Sequence, residues 1–189
     1  PFFLVEVVRA LAESAGGLES IGGGELPELV LSGGMQKVIR RRLREVPADS
    51  LAPLETAAVI GRSIAADLMH VIHPGLDVDA WATRCAAPAV LELRDQQWRF
   101  AHDKLLEQLL QDLAPARRQT LHRQVAEAIE TTPGRMDDVM ALAHHWREAG
   151  EPTREADYAE RAGMLALHRG ACREAIGFLG RALEIVGGE

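Results

Sequence analysis

Residues 98–128 read WRFAHDKLLEQLLQDLAPARRQTLHRQVAEA. Trp98 and Phe100 alternate with polar residues, the period of a strand. From His102 the apolar residues change to helical spacing, with Leu105, Leu106, Leu109, Leu110 and Leu113 on one stripe. Ala114-Pro115 interrupts that stripe, and Leu121, Val125, Ala128 and Ile129 begin another. One run thus leaves a small unit through a strand and enters a helical array, and this transition decides the fold.

Upstream, Val90, Leu91 and Leu93 lie on the other side of Asp95-Gln96, so residues 90–100 suit a β-hairpin. Before it the spacing predicts compact helices. Met35 to Arg44 carries Met35, Val38, Ile39 and Leu43 on one side and ends at Val46-Pro47. Asp49 or Ser50 is expected to cap a helix with Leu51, Leu54, Ala58 and Val59, stopped by Gly61. Ser63 is expected to cap another with Ile64, Leu68, Val71 and Ile72. Asp77 or Asp79 starts a third, with Trp81, Ala82, Cys85 and Ala86. Three helices and a hairpin form the pattern of a winged-helix unit.

Downstream every segment reads as helix. Val139, Leu142, Ala143 and Trp146 form a stripe closing at Gly150-Glu151-Pro152, and helices follow over 154–168 and 171–186. In the last two, Gly163, Gly170, Ala175, Leu179 and Ala182 fall where a tetratricopeptide repeat places its small and packing residues. Small residues allow two antiparallel helices to approach, and a turn glycine permits reversal. Ala162, Cys172 and Gly187 depart from that pattern. The expected fold class is mainly α: a winged-helix-like unit with a small β-hairpin, then TPR-like antiparallel helical hairpins. The expected domains are 1–34 (a lid-helix remnant and glycine-rich linker), 35–101 (winged-helix-like) and 102–189 (an incomplete TPR-like array). Within the first, Pro1 to Leu11 fits a helical face and residues 13–34 read as a linker, with a short extended or helical piece at 25–31.

Composition narrows the function. The 189 residues carry a formal net charge of -7, which disfavours non-specific attraction to nucleic acid or anionic lipid. No apolar run reaches membrane-spanning length. Cys85 and Cys172 match no metal spacing, and a reduced, cytoplasmic setting is expected. No Gly-x-x-x-x-Gly-Lys-Ser/Thr occurs, and Gly22-Gly23-Gly24 lacks the lysine needed to grip a phosphate. Among the seven histidines, His70 and His73 can share a helix face, while His144 and His145 are neighbours that a helix points in different directions. Packing or surface roles are therefore favoured, and no metal site or catalytic residue is assigned. His102-Asp103 reads as a helix cap rather than a catalytic dyad.

Five motifs carry a family resemblance: Pro1-Phe-Phe-Leu-Val-Glu6, Val38-Ile-Arg-Arg-Arg-Leu43, Ala57-Ala-Val-Ile-Gly-Arg62, Arg99-Phe-Ala-His-Asp103 and Ala143-His-His-Trp-Arg-Glu-Ala-Gly150. Together they resemble the region downstream of the ATPase module in bacterial STAND-type signalling ATPases. Such modules occur in LuxR-like transcriptional regulators and in multidomain adenylate/guanylate cyclases. The resemblance implies a non-catalytic fragment of a longer ATPase, with no cofactor of its own and ATP or ADP bound elsewhere in the parent. It implies that the winged helix relays nucleotide state and that the repeats bind a protein or small-molecule effector. It also implies that Pro1 is the lid proline that approaches adenine, although the glycine of the family's Gly-x-Pro motif is absent here. The other expected partners are the ATPase core, for whose acidic surface Arg40, Arg41, Arg42 and Arg44 are candidates, and a second copy of the chain.

The rival reading is a DNA-binding winged-helix regulator. The helix that would enter the major groove carries Asp77 and Asp79 against one arginine, Arg84, so phosphates would repel it. A small hydrolase or metal enzyme is the remaining rival. In the favoured reading Phe100 and the leucine stripe couple the two parts mechanically, so a polar residue at 100 should loosen both.

Overall fold

The computed structural model describes residues 28–188, with side chains from Met35 onward. The apolar helix expected over 1–11, the adenine-contacting role of Pro1 and the glycines up to Gly24 lie outside the described residues. The element order is α1 (Glu28–Arg44), α2 (Ala48–Ile60), α3 (Ala66–Ile72), α4 (Val78–Ala86), β1 (Leu91–Arg94), β2 (Gln97–Phe100), α5 (Asp103–Asp112), α6 (Pro115–Thr131), α7 (Val139–Glu148), α8 (Pro152–His168) and α9 (Cys172–Gly187). Among the described residues the fold is mainly helical with one small antiparallel sheet, and none of these helices is long and apolar enough to cross a membrane.

Three local expectations are corrected. α1 begins at Glu28 and runs through Gly33 and Gly34, whose composition predicts a linker. Each glycine costs a helix about 1 kcal/mol, but extending an existing helix needs no new nucleus, and the anchored Val38–Leu43 stretch supplies one. Asp49 and Ser50 do not cap α2, which starts at Ala48 after Pro47 with no side-chain cap. Ser50 is buried instead, and its carbonyl accepts the Trp81 indole N–H at 3.1 Å. Ser63 does not cap α3, which starts at Ala66. Its backbone pairs with Arg99, Ile64 N–H donates to Trp98 O at 2.8 Å, and Phe100 N–H donates to Arg62 O at 2.9 Å. The segment between α2 and α3 thus lies along β2, because a sheet edge offers it backbone partners that a helix start would not.

The hairpin matches its sequence signal. Leu91 faces Phe100, Glu92 faces Arg99, Leu93 faces Trp98 and Arg94 faces Gln97. Asp95 and Gln96 have φ of 51° and 60°, the left-handed pair a two-residue hairpin loop requires. Leu91 and Phe100 are buried, while Leu93 is exposed where the strands leave the core. Trp98 ties that tip back to α4 by donating its indole N–H to Asp79 Oδ1 at 2.9 Å. Asp77 caps α4 by accepting Ala80 N–H at 2.9 Å, and His102 caps α5 by accepting Lys104 N–H on Nδ1 at 3.1 Å.

One apolar cluster joins α1, α2, α4, the hairpin and α5 through Ile39, Leu54, Trp81, Cys85, Phe100, Leu105 and Leu109. A second joins Val59 and Leu68 to Leu121, Val125, Ile129, Leu142 and Trp146. Ile60 and Leu110 pack against both, so the two clusters share walls. The Arg117–Glu55 ion pair (3.1 Å) fastens α6 to α2, and Arg135 hydrogen-bonds Asp67 of α3 at 3.0 Å.

α7, α8 and α9 follow as consecutive hairpins. The first two end alike. Glu151 N–H reaches Trp146 O and Gly150 N–H reaches Arg147 O; Ala171 N–H reaches Ala166 O and Gly170 N–H reaches Leu167 O. This is the Schellman pattern, and Gly150 and Gly170, both at φ 73°, permit it. At Gly163 a Cβ would stand 2.6 Å from Leu179 Cγ, so α8 and α9 approach as they do because that position is glycine.

Candidate functional site

α6 and α7 bring three histidines together. Leu121, Val125 and Ile129 turn α6 toward the shared core and carry His122 in with them. Leu142 and Trp146 do the same for α7 and set His145 against α6. His122 Nδ1 and His145 Nδ1 are 2.9 Å apart, and both rings are buried. His144 stands beside them, exposed. Its ring centroid lies 5.2 Å from that of His145 and 5.5 Å from that of His122, and the buried pair is 5.1 Å apart.

Burial lowers the His122 imidazole to about 4, helped by the nearby His144 and Arg118 and opposed by Glu148. Burial also lowers His145, to about 3, with His122 and His144 adding to it. Both rings are therefore neutral at pH 7, and one Nδ1–H donates to the other's lone pair. Arg118 bonds Glu148 at 2.9 Å, giving the charged pair closest to the rings an internal balance.

His144 also lines a groove of about 480 Å³ between α7, α8 and α9, whose walls include Met140, Arg147, Glu155, Phe178 and Arg181. Glu155 is buried at its floor and holds Arg181 by two hydrogen bonds, Nε–Oε1 at 2.7 Å and Nη2–Oε2 at 3.2 Å. A second polar junction steadies the opposite side of α7. Glu130 of α6 accepts from Trp146 Nε1 (3.1 Å), Tyr158 Oη (2.9 Å) and Arg154 Nη1 (3.0 Å), while the Arg154 guanidinium stacks 4.4 Å from the Trp146 ring. Desolvation first, and then Glu130, raises the Tyr158 phenol above its usual range. The groove thus combines apolar walls with a fixed carboxylate and guanidinium.

Other residues singled out in the sequence do not converge. α3 ends at Ile72, so His70 and His73 share no continuous helix face, and His73 Nε2 bonds Thr56 Oγ1 at 2.9 Å. Burial pushes the Cys85 thiol up to about 11, so it remains protonated; Cys172 is exposed. Asp103 pairs with Arg62 at 3.1 Å rather than with a nucleophile. Arg42 turns back to the fold and donates to Ala89 O at 3.3 Å, whereas Arg40 and Arg44 are exposed.

The three-histidine group was missed because each helix was read alone. His144 and His145 diverge on α7, yet His122 from α6 closes the gap between them. The available signal was that His122 lies one position after Leu121 and three before Val125, on the border of the apolar stripe. Compared with protein-family models, with curated proteins and with solved structures, the chain matches none.

Proposed function

We propose that this chain is a non-catalytic regulatory and protein-interaction segment of a STAND-type signal-transduction ATPase, working in the cytoplasm. Residues 35–101 act as a winged-helix unit that receives the nucleotide-dependent movement of the ATPase core. Residues 102–189 act as a TPR-like array that binds a protein or small-molecule effector. The observation carrying this reading is the shared wall of Ile60 and Leu110 between the two apolar clusters. Packed interiors transmit displacement because they are nearly incompressible, so the hairpin unit cannot move without carrying α6 and α7.

Backbone pairing of residues 62–64 with β2 supports the winged-helix part, since an extended segment paired to the hairpin belongs to that plan. The repeated Schellman ends and the Gly163–Leu179 approach support the repeat-like part. The groove between α7 and α9 is where an effector fits, its buried Glu155 and the half-exposed Arg181 bound to it offering one fixed charge of each sign. A DNA-binding role is the weaker alternative, because Asp77 and Asp79 remain on α4 and Asp79 is engaged by Trp98.

Hydrogen exchange on the full-length protein with ATP and with ADP tests the relay. Protection in α2–α4 and in α6–α8 is expected to change together between the two nucleotides. Change in one group without the other, or a reading frame with no Walker motif, overturns it. Tight, salt-sensitive binding of mixed-sequence duplex to this chain would favour the DNA-binding alternative instead.

A further inference from the structure

We propose that His122, His144 and His145 form a binding site for one zinc-class divalent metal ion, bridging α6 and α7. One ring nitrogen from each histidine lies within 4.8 Å of the others. A tetrahedral ion with metal–nitrogen bonds of ~2.0–2.1 Å places the centroids of its imidazole ligands roughly 5 Å apart. The three observed separations are 5.1, 5.2 and 5.5 Å, so the rings already stand at ligand spacing. Placing the third nitrogen requires rotation of a ring, and His144, exposed, is the one that would turn. The two buried Nδ1 atoms are 2.9 Å apart, and opening that hydrogen bond to roughly 3.3 Å, with both lone pairs turned to a common point, gives the spacing of two ligands on a tetrahedral ion.

The donor set selects the metal. Three imidazoles without a carboxylate or thiolate suit zinc, copper, nickel or cobalt, and they do not suit calcium or magnesium, which take oxygen. Binding requires both buried rings in the tautomer with hydrogen on Nε2, which turns both Nδ1 lone pairs toward the ion. Glu148, whose charge acts on His122, partly offsets the added positive charge, although its bond to Arg118 is retained. Three protein ligands leave the fourth position to water or an incoming donor, and His144 stands at the wall of the α7–α9 groove. A bound ion would fasten α6 to α7 beside that groove.

The test is titration of the tag-free chain with zinc sulfate by calorimetry and with cobalt(II) by visible absorption. One ion per chain and a tetrahedral cobalt band are expected. His144→Ala should fold normally, because the side chain is exposed, and should bind zinc at least about tenfold more weakly, since even indirect supports of a metal ligand are worth that much. Nitrogen-15 spectra of the wild-type imidazoles decide the matter without a variant: zinc should shift resonances of all three. Absence of zinc binding, unmoved imidazole resonances, or unchanged affinity in His144→Ala overturns the proposal.

Discussion

The unit around the hairpin and the pair α8–α9 achieve close packing by opposite means. The first buries large side chains: Trp81, Phe100, Leu54, Met69 and Leu105 are almost wholly inaccessible. The second is lined by Ala156, Ala159, Ala162, Ala166, Ala175 and Ala182, and its approach depends on Gly163. Large side chains gain stability from apolar area removed from water, whereas small ones gain it from backbone proximity and dispersion. The difference has a cost at the surface. α9 buries its alanines but leaves Ile176, Leu183 and Val186 at 73, 72 and 68 % exposure, so its outer face keeps a large apolar surface. An apolar face of this kind suits another helix or a partner, consistent with the proposed recognition role.

Mutations can separate the two strategies. The largest effect is expected at Phe100. Phe100→Ala should cost about 3–5 kcal/mol, as for other buried aromatics, and should destabilise α6 and α7 along with the hairpin. Calorimetry should show one transition shifted down, and two separate transitions would break the proposed coupling. Next comes the buried carboxylate: Arg181→Met leaves Glu155 without its bidentate partner and should destabilise the fold by less than the Phe100 change. Chemical denaturation gives the total, and hydrogen exchange should place the loss in α8 and α9, with β1 and β2 unaffected.

Gly163→Val tests packing by proximity. The added atoms meet Leu179, and overpacking of this kind costs ~1–3 kcal/mol. Adding Leu179→Ala should recover much of the loss, and a double variant no better than the single would show that α9 is held otherwise. The smallest effect is electrostatic. A hydrogen bond from Arg135 is the main cause holding the Asp67 carboxyl below its ordinary value of 3.8. The folded state therefore favours the ionised form. The pair's contribution is complete above the ordinary aspartate range and fades as pH falls through and below it. Because both groups are partly exposed, it amounts to less than about 1 kcal/mol. Arg135→Leu should flatten this part of the acid limb in melts taken as pH falls through and below the ordinary aspartate value of 3.8. An unchanged acid limb would show that the contact carries no weight.

Much of the backbone plan could be read directly. Asp95-Gln96 between alternating apolar residues placed the hairpin, and Gly61, Gly150 and Gly170 marked helix ends that occur at those positions. The leucine stripe of α5 and the apolar positions of α6 and α7 line the core as expected. The errors share a physical origin. Ser63 and Ser50 have side chains suited to caps, but each backbone found a longer-range partner, β2 for one and Trp81 for the other. Gly33-Gly34 has linker composition, yet it lies within α1 because helix growth is cooperative.

The histidine group shows the same limit more sharply. His144-His145 was visible as a pair, and its geometry on one helix argued against a shared ligand. Only the packing of α6 against α7 supplies His122, 23 positions away in the chain. By itself the sequence determined what depends on neighbours: period, turn chemistry, and the small residues that let helices meet. The tertiary structure decided what depends on which faces meet: the pairing of residues 62–64 with β2, the burial of Glu155 beside Arg181, and the three-ring cluster. Local propensity is encoded within a few residues, whereas a site assembled across helices exists only once burial has fixed their rotation and distance.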